Sequence, residues 1–221
     1  MKKILLILAI IVFSSAAVFA QNQPQINDPV DVTNAPSAQQ PSEGSSGGGG
    51  MIFGAQIGFG AAFIKETSDN STPYGYDPIA SYSIGGRFGY FFGFVGVMVD
   101  LEYVKKGAQS GNTKLKLHYI DVDLMFAVKF GGFYAGVGLY TGFGLSKTLS
   151  NSYSTSEADN IRDIDFGWVL EGGFMFGGSM KFMLGLEIKA SLMNILEDAG
   201  AANYNWKNIS VMLKFGILIG N

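Results

Sequence analysis

The chain has 221 residues, a formal net charge of −3 and no cysteine, and only 15% of its residues are charged, against about 25% in an ordinary soluble protein. That balance excludes a nucleic-acid surface, which needs a basic stripe, and a disulfide framework. Glycine (31 residues) and aromatics (14%) are both abundant, so the chain is built from very small and very bulky side chains.

The chain opens MKKILLILAIIVFSSAAVFAQ. Lys2 and Lys3 precede an apolar run from Ile4 to Phe13, and Val18-Phe19-Ala20 supplies a small-residue cleavage site, the pattern of a secretory signal peptide over residues 1–20. An uncleaved N-terminal anchor is the alternative, but the apolar run is short for a span and polar residues follow it. Residues 21–50, rich in Pro, Gln, Ser and Gly, have too little to bury to offset the entropy of ordering them, and predict a disordered tether. The remainder, 51–221, has the length of one domain. It contains no stretch near the roughly 18 uninterrupted apolar residues of a membrane helix. An exported, apolar chain without such a helix points to the other structure a bilayer permits, a closed barrel.

From Met51 onward the residues alternate with a period of two. In MIFGAQIGFGAAFIK, Phe53, Ile57, Phe59 and Phe63 share one face, opposite Gly54, Gln56, Gly58 and Gly60. In the next two segments Tyr82, Ile84, Phe88 and Tyr90 oppose Arg87, and Val95, Val97, Val99 and Leu101 oppose Asp100 and Glu102. Then Ile120, Val122, Leu124 and Phe126 oppose Asp121, Asp123 and Lys129. Residues 132–144, GFYAGVGLYTGFG, set Phe133, Val137 and Leu139 against Tyr134, Gly136, Gly138, Tyr140 and Gly142. The last three segments place Asp165 and Glu171, then Glu187 and Lys189, then Lys214, opposite Trp168, Leu186 and Leu213 and their neighbours. Eight such segments predict an all-β fold, an eight-stranded antiparallel up-and-down transmembrane β-barrel. The glycines of 132–144 then make room in a narrow interior. A phosphate cradle is dropped, because no GxGxxG or P-loop spacing occurs and no helix follows.

Tight turns are expected at Phe92-Gly93-Phe94, Gly131-Gly132 and Gly177-Gly178-Ser179. Longer polar links are expected over 66–77, 106–114, 147–162 and 194–205. Alternating short and long links suit an outer-membrane barrel with both termini on the periplasmic side. Phe92, Phe130, Phe133, Phe176 and Phe182 would form one aromatic girdle, and Tyr82, Tyr103, Phe166 and Trp206 the other. A soluble lipocalin-like barrel is the rival, but it would expose the uncharged apolar face to water.

Residues 101–146, LEYVKKGAQ followed by LHYIDVDLMFAVKFGGFYAGVGLYTGFGLS, resemble the bacterial outer-membrane β-barrel domains often called porin-family or PorT-like. The features are Glu102-Tyr103, Lys106-Gly107, the strand built on Leu117, Tyr119, Ile120 and Val122, and the glycine-rich return strand. Over 51–221 the architecture is similar to OmpX- and OmpA-like small barrels. The resemblance implies the bacterial cell outer membrane as location and the barrel-insertion machinery as a partner in biogenesis. Asp123 stands where the family often has Pro, and the chain ends Ile-Gly-Asn without a terminal aromatic.

The inward charges are the candidate site: Arg87, Asp100, Glu102, Asp121, Asp123, Lys129, Glu171, Glu187, Lys189 and Lys214. An eight-stranded interior is just wide enough for side chains to fill, so a salt-bridged plug is the expectation. A narrow cation-leaning porin is the alternative, given the acidic excess. Asp100, Glu102, Asp121 and Asp123 are hard-cation ligand types, but Arg87 and Lys129 balance them and no ligand loop surrounds them, so neither metal nor cofactor is expected. His118 is the one imidazole; period two turns it outward, away from Asp121 and Asp123, so no catalytic role follows. The expected partners are outer-membrane lipid and a ligand of the extracellular loops, where Tyr74, Tyr76, Tyr153 and Tyr204 offer contact surface. The barrel is expected to be a monomer and not an enzyme.

Overall fold

The computed structural model describes residues 50–67, 76–197 and 205–220. The expected signal peptide and the tether up to residue 49 lie outside them, as do Tyr74 and Tyr204. Among the described residues nine strands follow in chain order: β1 (Gly50–Thr67), β2 (Ile79–Phe92), β3 (Val95–Ser110), β4 (Thr113–Phe130), β5 (Phe133–Ser150), β6 (Thr155–Glu157), β7 (Ile164–Gly177), β8 (Met180–Ser191) and β9 (Asn205–Gly220). Strands β1 to β5 each pair with the next, β5 passes to β7, and β9 returns to β1, all antiparallel. The sheet closes as an eight-stranded barrel, which leaves no open edge. The short β6 adds only to the far end of β5.

Alternation decides what each face meets. Along β2, buried and exposed positions alternate almost residue by residue, with Ile84 and Phe88 outward and Ser81, Ser83 and Arg87 inward. Phe126, Val137, Phe174, Leu186 and Ile217 continue the exposed apolar face on other strands. Such an exterior suits hydrocarbon, and the polar groups are left to the lumen.

Two-residue turns at Gly93-Phe94, Gly131-Gly132 and Gly178-Ser179 share the rim where β1 begins and β9 ends. Beside them, on the outer face, Phe94 stacks on Phe130 at 6.0 Å and Phe176 on Phe182 at 5.8 Å, which makes one aromatic girdle. Trp206 departs from the expectation. It shares the inward row of Asn208 and packs edge-on to Tyr76, at 5.2 Å, against the core beneath the loops.

Two expected long links also prove shorter. Only Gly111 and Asn112 separate β3 from β4, and residues 147–150 belong to β5. Polarity does not end a strand while every second side chain still has an interior to enter. Ala108, Leu115 and Leu117 are buried there, and so is Lys106.

The glycine run has two structural reasons. A Cβ on Gly142 would lie 2.6 Å from Asp121 Oδ1, so its bare backbone makes room for that carboxylate. A Cβ on Gly138 would lie 1.9 Å from the Leu124 carbonyl oxygen. There the strands approach too closely for any side chain, as tight barrel curvature requires.

Candidate functional site: the charged lumen

Closure brings together charges that are far apart in sequence. Arg87 on β2 forks onto Asp100 of β3, with Nε and Nη2 at 2.8 and 2.6 Å. It reaches Glu171 of β7 with Nη1 and Nη2 at 2.7 and 2.6 Å. Planar guanidinium geometry suits it to two carboxylates at once. On β8, Lys189 stands 2.8 Å from Asp123, 3.1 Å from Asp121 and 3.3 Å from Glu102. Lys214 of β9 pairs with Glu102 and lies 3.1 Å from Glu187. All of these side chains are almost completely buried.

Two members of the network were not among the expected residues. Lys106 lies 3.1 Å from both Asp121 and Asp165. Asp165 also accepts from Asn208 Nδ2 at 3.0 Å, from Tyr140 OH at 3.2 Å and from Ser191 Oγ. The parity of Asp100 and Glu102, carried four residues further, would have found Lys106; a predicted loop interrupted it. Lys129 is the converse case. It shares the inward parity of Asp121 and Asp123 but forms no ion pair among the described residues, and its ammonium stands 5.8 Å from the Phe91 ring centre. Six residues of strand, about 20 Å, separate it from Asp123, with Met125 and Ala127 between.

The register sets like charges opposite one another: Asp100 faces Asp123, Glu102 faces Asp121, and Glu171 faces Glu187. Such pairs repel, and cations from the other walls hold them. The network contains seven carboxylates (Asp100, Glu102, Asp121, Asp123, Asp165, Glu171 and Glu187) and four cations (Arg87, Lys106, Lys189 and Lys214). Carboxylate oxygens of Asp100, Asp123 and Glu187 come within 4.8 Å of one another. Each of the three is already beside Arg87, Lys189 or Lys214, positive charges that would repel a metal ion.

Apolar layers close the network above and below. Toward the short turns, Ile52, Phe91, Met98, Met125, Val169, Met175 and Leu218 pack into one cluster. Toward the loops, Ile64, Leu115, Leu117 and Tyr119 meet Ala158, Ile161, Ile195 and Leu196. Those last four come from the connections that follow β6 and β8, and these fold over the mouth. Ile161 bridges Leu196, and Arg162 N donates to the Ile195 carbonyl at 2.7 Å. The links expected as free surface loops are therefore partly a cap. The stretch 151–157 stays exposed at the tip, with Tyr153 98% accessible.

On the outside, His118 is turned outward as parity predicts. Its Nδ1 lies 2.5 Å from Tyr103 OH, and the two rings stack. Its hydrogen-bond partner is a phenol, not a serine or carboxylate.

Compared with known proteins, the chain matches the family described as outer membrane protein beta-barrel domain over residues 19–197. No curated protein matches it. Among solved structures it is similar to the outer membrane protein OprG of Pseudomonas aeruginosa, with 13% identity, 80% of this chain and 97% of that one covered, and a TM-score of 0.47. It is similar to the attachment invasion locus protein of Yersinia pestis at 14% identity, covering 77% and 99%, with a TM-score of 0.42. For Neisserial surface protein A the identity is 14%, the coverage 76% and 97%, and the TM-score 0.43.

Proposed function

The chain belongs to the outer membrane protein beta-barrel domain family, and we propose that its barrel is a sealed scaffold in the bacterial outer membrane that presents a surface for contact outside the cell. One observation carries this reading: the charged network lies between two apolar layers, and residues of the loop connections complete the upper one. Water and ions would have to cross both dry layers, and apolar constrictions of this kind block conduction by dewetting. The ion pairs then act as struts joining opposite walls. What remains accessible is the outer surface, with Tyr153 and its neighbours at the tip.

The test is planar-bilayer conductance of the chain after a heat-shifted gel band confirms folding. The folded barrel is expected to be silent. Discrete openings that disappear in Asp121→Asn or Asp123→Asn would overturn the sealed reading. They would favour a narrow cation-leaning pore, which the carboxylate surplus would select. A second expectation concerns the tip. Tyr153→Ala, at a position with no buried contacts, should leave stability within about 0.5 kcal/mol and weaken capture of whatever the surface binds. Unchanged binding to cells or matrix would count against recognition by this loop.

A further inference from the structure

We propose that the loop-side end of the outer wall on β9, β1, β3 and β4 binds the phosphate groups of anionic lipid in the outer leaflet. Five lysines lie there on the outward parity: Lys207, Lys65, Lys105, Lys114 and Lys116. They come from neighbouring parts of the sheet, since β9, β1, β2, β3 and β4 are consecutive in the wall. Every carboxylate within these five strands (Glu66, Asp100, Glu102, Asp121 and Asp123) is buried on the other face. Among the described residues, none of the five lysines has a carboxylate at ion-pair distance. On the adjoining strand β5, by contrast, Lys147 lies opposite the inward Leu117 and pairs with Asp163 at 2.8 Å.

The register strengthens the case. Lys65 is directly opposite Lys207. Like charges placed so repel, and a shared anion removes that repulsion. Height along the wall identifies the anion. Lys105 Nζ stands 5.7 Å from the centre of the Tyr82 ring, and Tyr82 lies 6.1 Å from Tyr103. These outward tyrosines mark the interface level, where aromatic side chains meet lipid headgroups. Lys116 and Lys114 continue above them along β4. The short-turn rim offers a contrast, because its outward face carries Phe92, Phe94, Phe130 and Phe176 and no charged residue among those described. Basic residues at one interface only fit an anionic lipid in the leaflet on that side, and an outer-membrane barrel directs its longer loops outward.

The test uses the full chain folded into phosphatidylcholine bilayers that contain either diphosphorylated lipid A or the same lipid with its phosphates removed. Lipid retained per barrel is measured across a salt titration. The phosphorylated form is expected to bind more tightly, with an advantage that salt erases. Changing all five lysines to glutamine should weaken that binding by about fivefold per lysine, and changing them to arginine should preserve it. Equal binding of both lipid forms by the unaltered chain would overturn the proposal. So would a folded glutamine variant with undiminished, salt-sensitive binding. If the glutamine variant does not fold, the two-lipid comparison on the unaltered chain decides alone.

Discussion

Arg87→Met is expected to destabilise the folded barrel by about 3–5 kcal/mol, the usual effect of breaking a buried ion pair from one side. The arginine spends four hydrogen bonds on Asp100 and Glu171. Without it, two carboxylates stay buried in a carboxylate-rich lumen with no cation of comparable reach, and the desolvation penalty of each returns in full. Urea titration of the folded gel band measures the effect. Combining Arg87→Met with Asp100→Asn and Glu171→Gln should recover most of the loss, since no unpaired charge then remains. If the single change shifts stability by less than about 1 kcal/mol, the pair behaves as a solvated one, and the lumen is wetter than its burial implies.

Gly138→Ala and Gly136→Ala should differ sharply although they sit two residues apart on the same face of β5. A methyl group at 138 would overlap the Leu124 carbonyl oxygen, which belongs to the backbone of the neighbouring strand and cannot swing aside. At 136 the nearest atom is the Met98 terminal methyl at 3.2 Å, the far end of a flexible chain. The expected loss is about 3 kcal/mol or more at 138 and within about 1 kcal/mol at 136. The same urea titration separates them. Equal effects would mean that a general preference for small residues, and not strand approach, explains the run.

Much of the architecture is legible without coordinates. Arg87, Asp100, Glu102, Asp121, Asp123, Glu171, Glu187, Lys189 and Lys214 can all be assigned to the interior by counting in twos, because a strand's side chains alternate whatever its partner is. The tight turns are legible as well, since Gly93 and Gly131 adopt φ of 72° and 58°, a conformation that favours glycine. Counting failed where a polar stretch looked like a loop, which hid Lys106. It also overreached at Lys129, because parity gives a face but not a neighbour at the same height.

The order of the residues alone thus dictates an inside-out barrel with its charges inside, since period-two alternation is a local property of the chain. It also turns the carboxylates of β3 and β4 inward. Pairing across the lumen was decided by closure. Arg87 meets Glu171 only because β2 and β7 face each other across the lumen, 84 positions apart in sequence. The apolar cap exists only because two distant connections fold over one mouth, where Ile161 meets Leu196. Neither contact has a local signature, because both depend on the curvature that brings opposite walls within reach of one side chain.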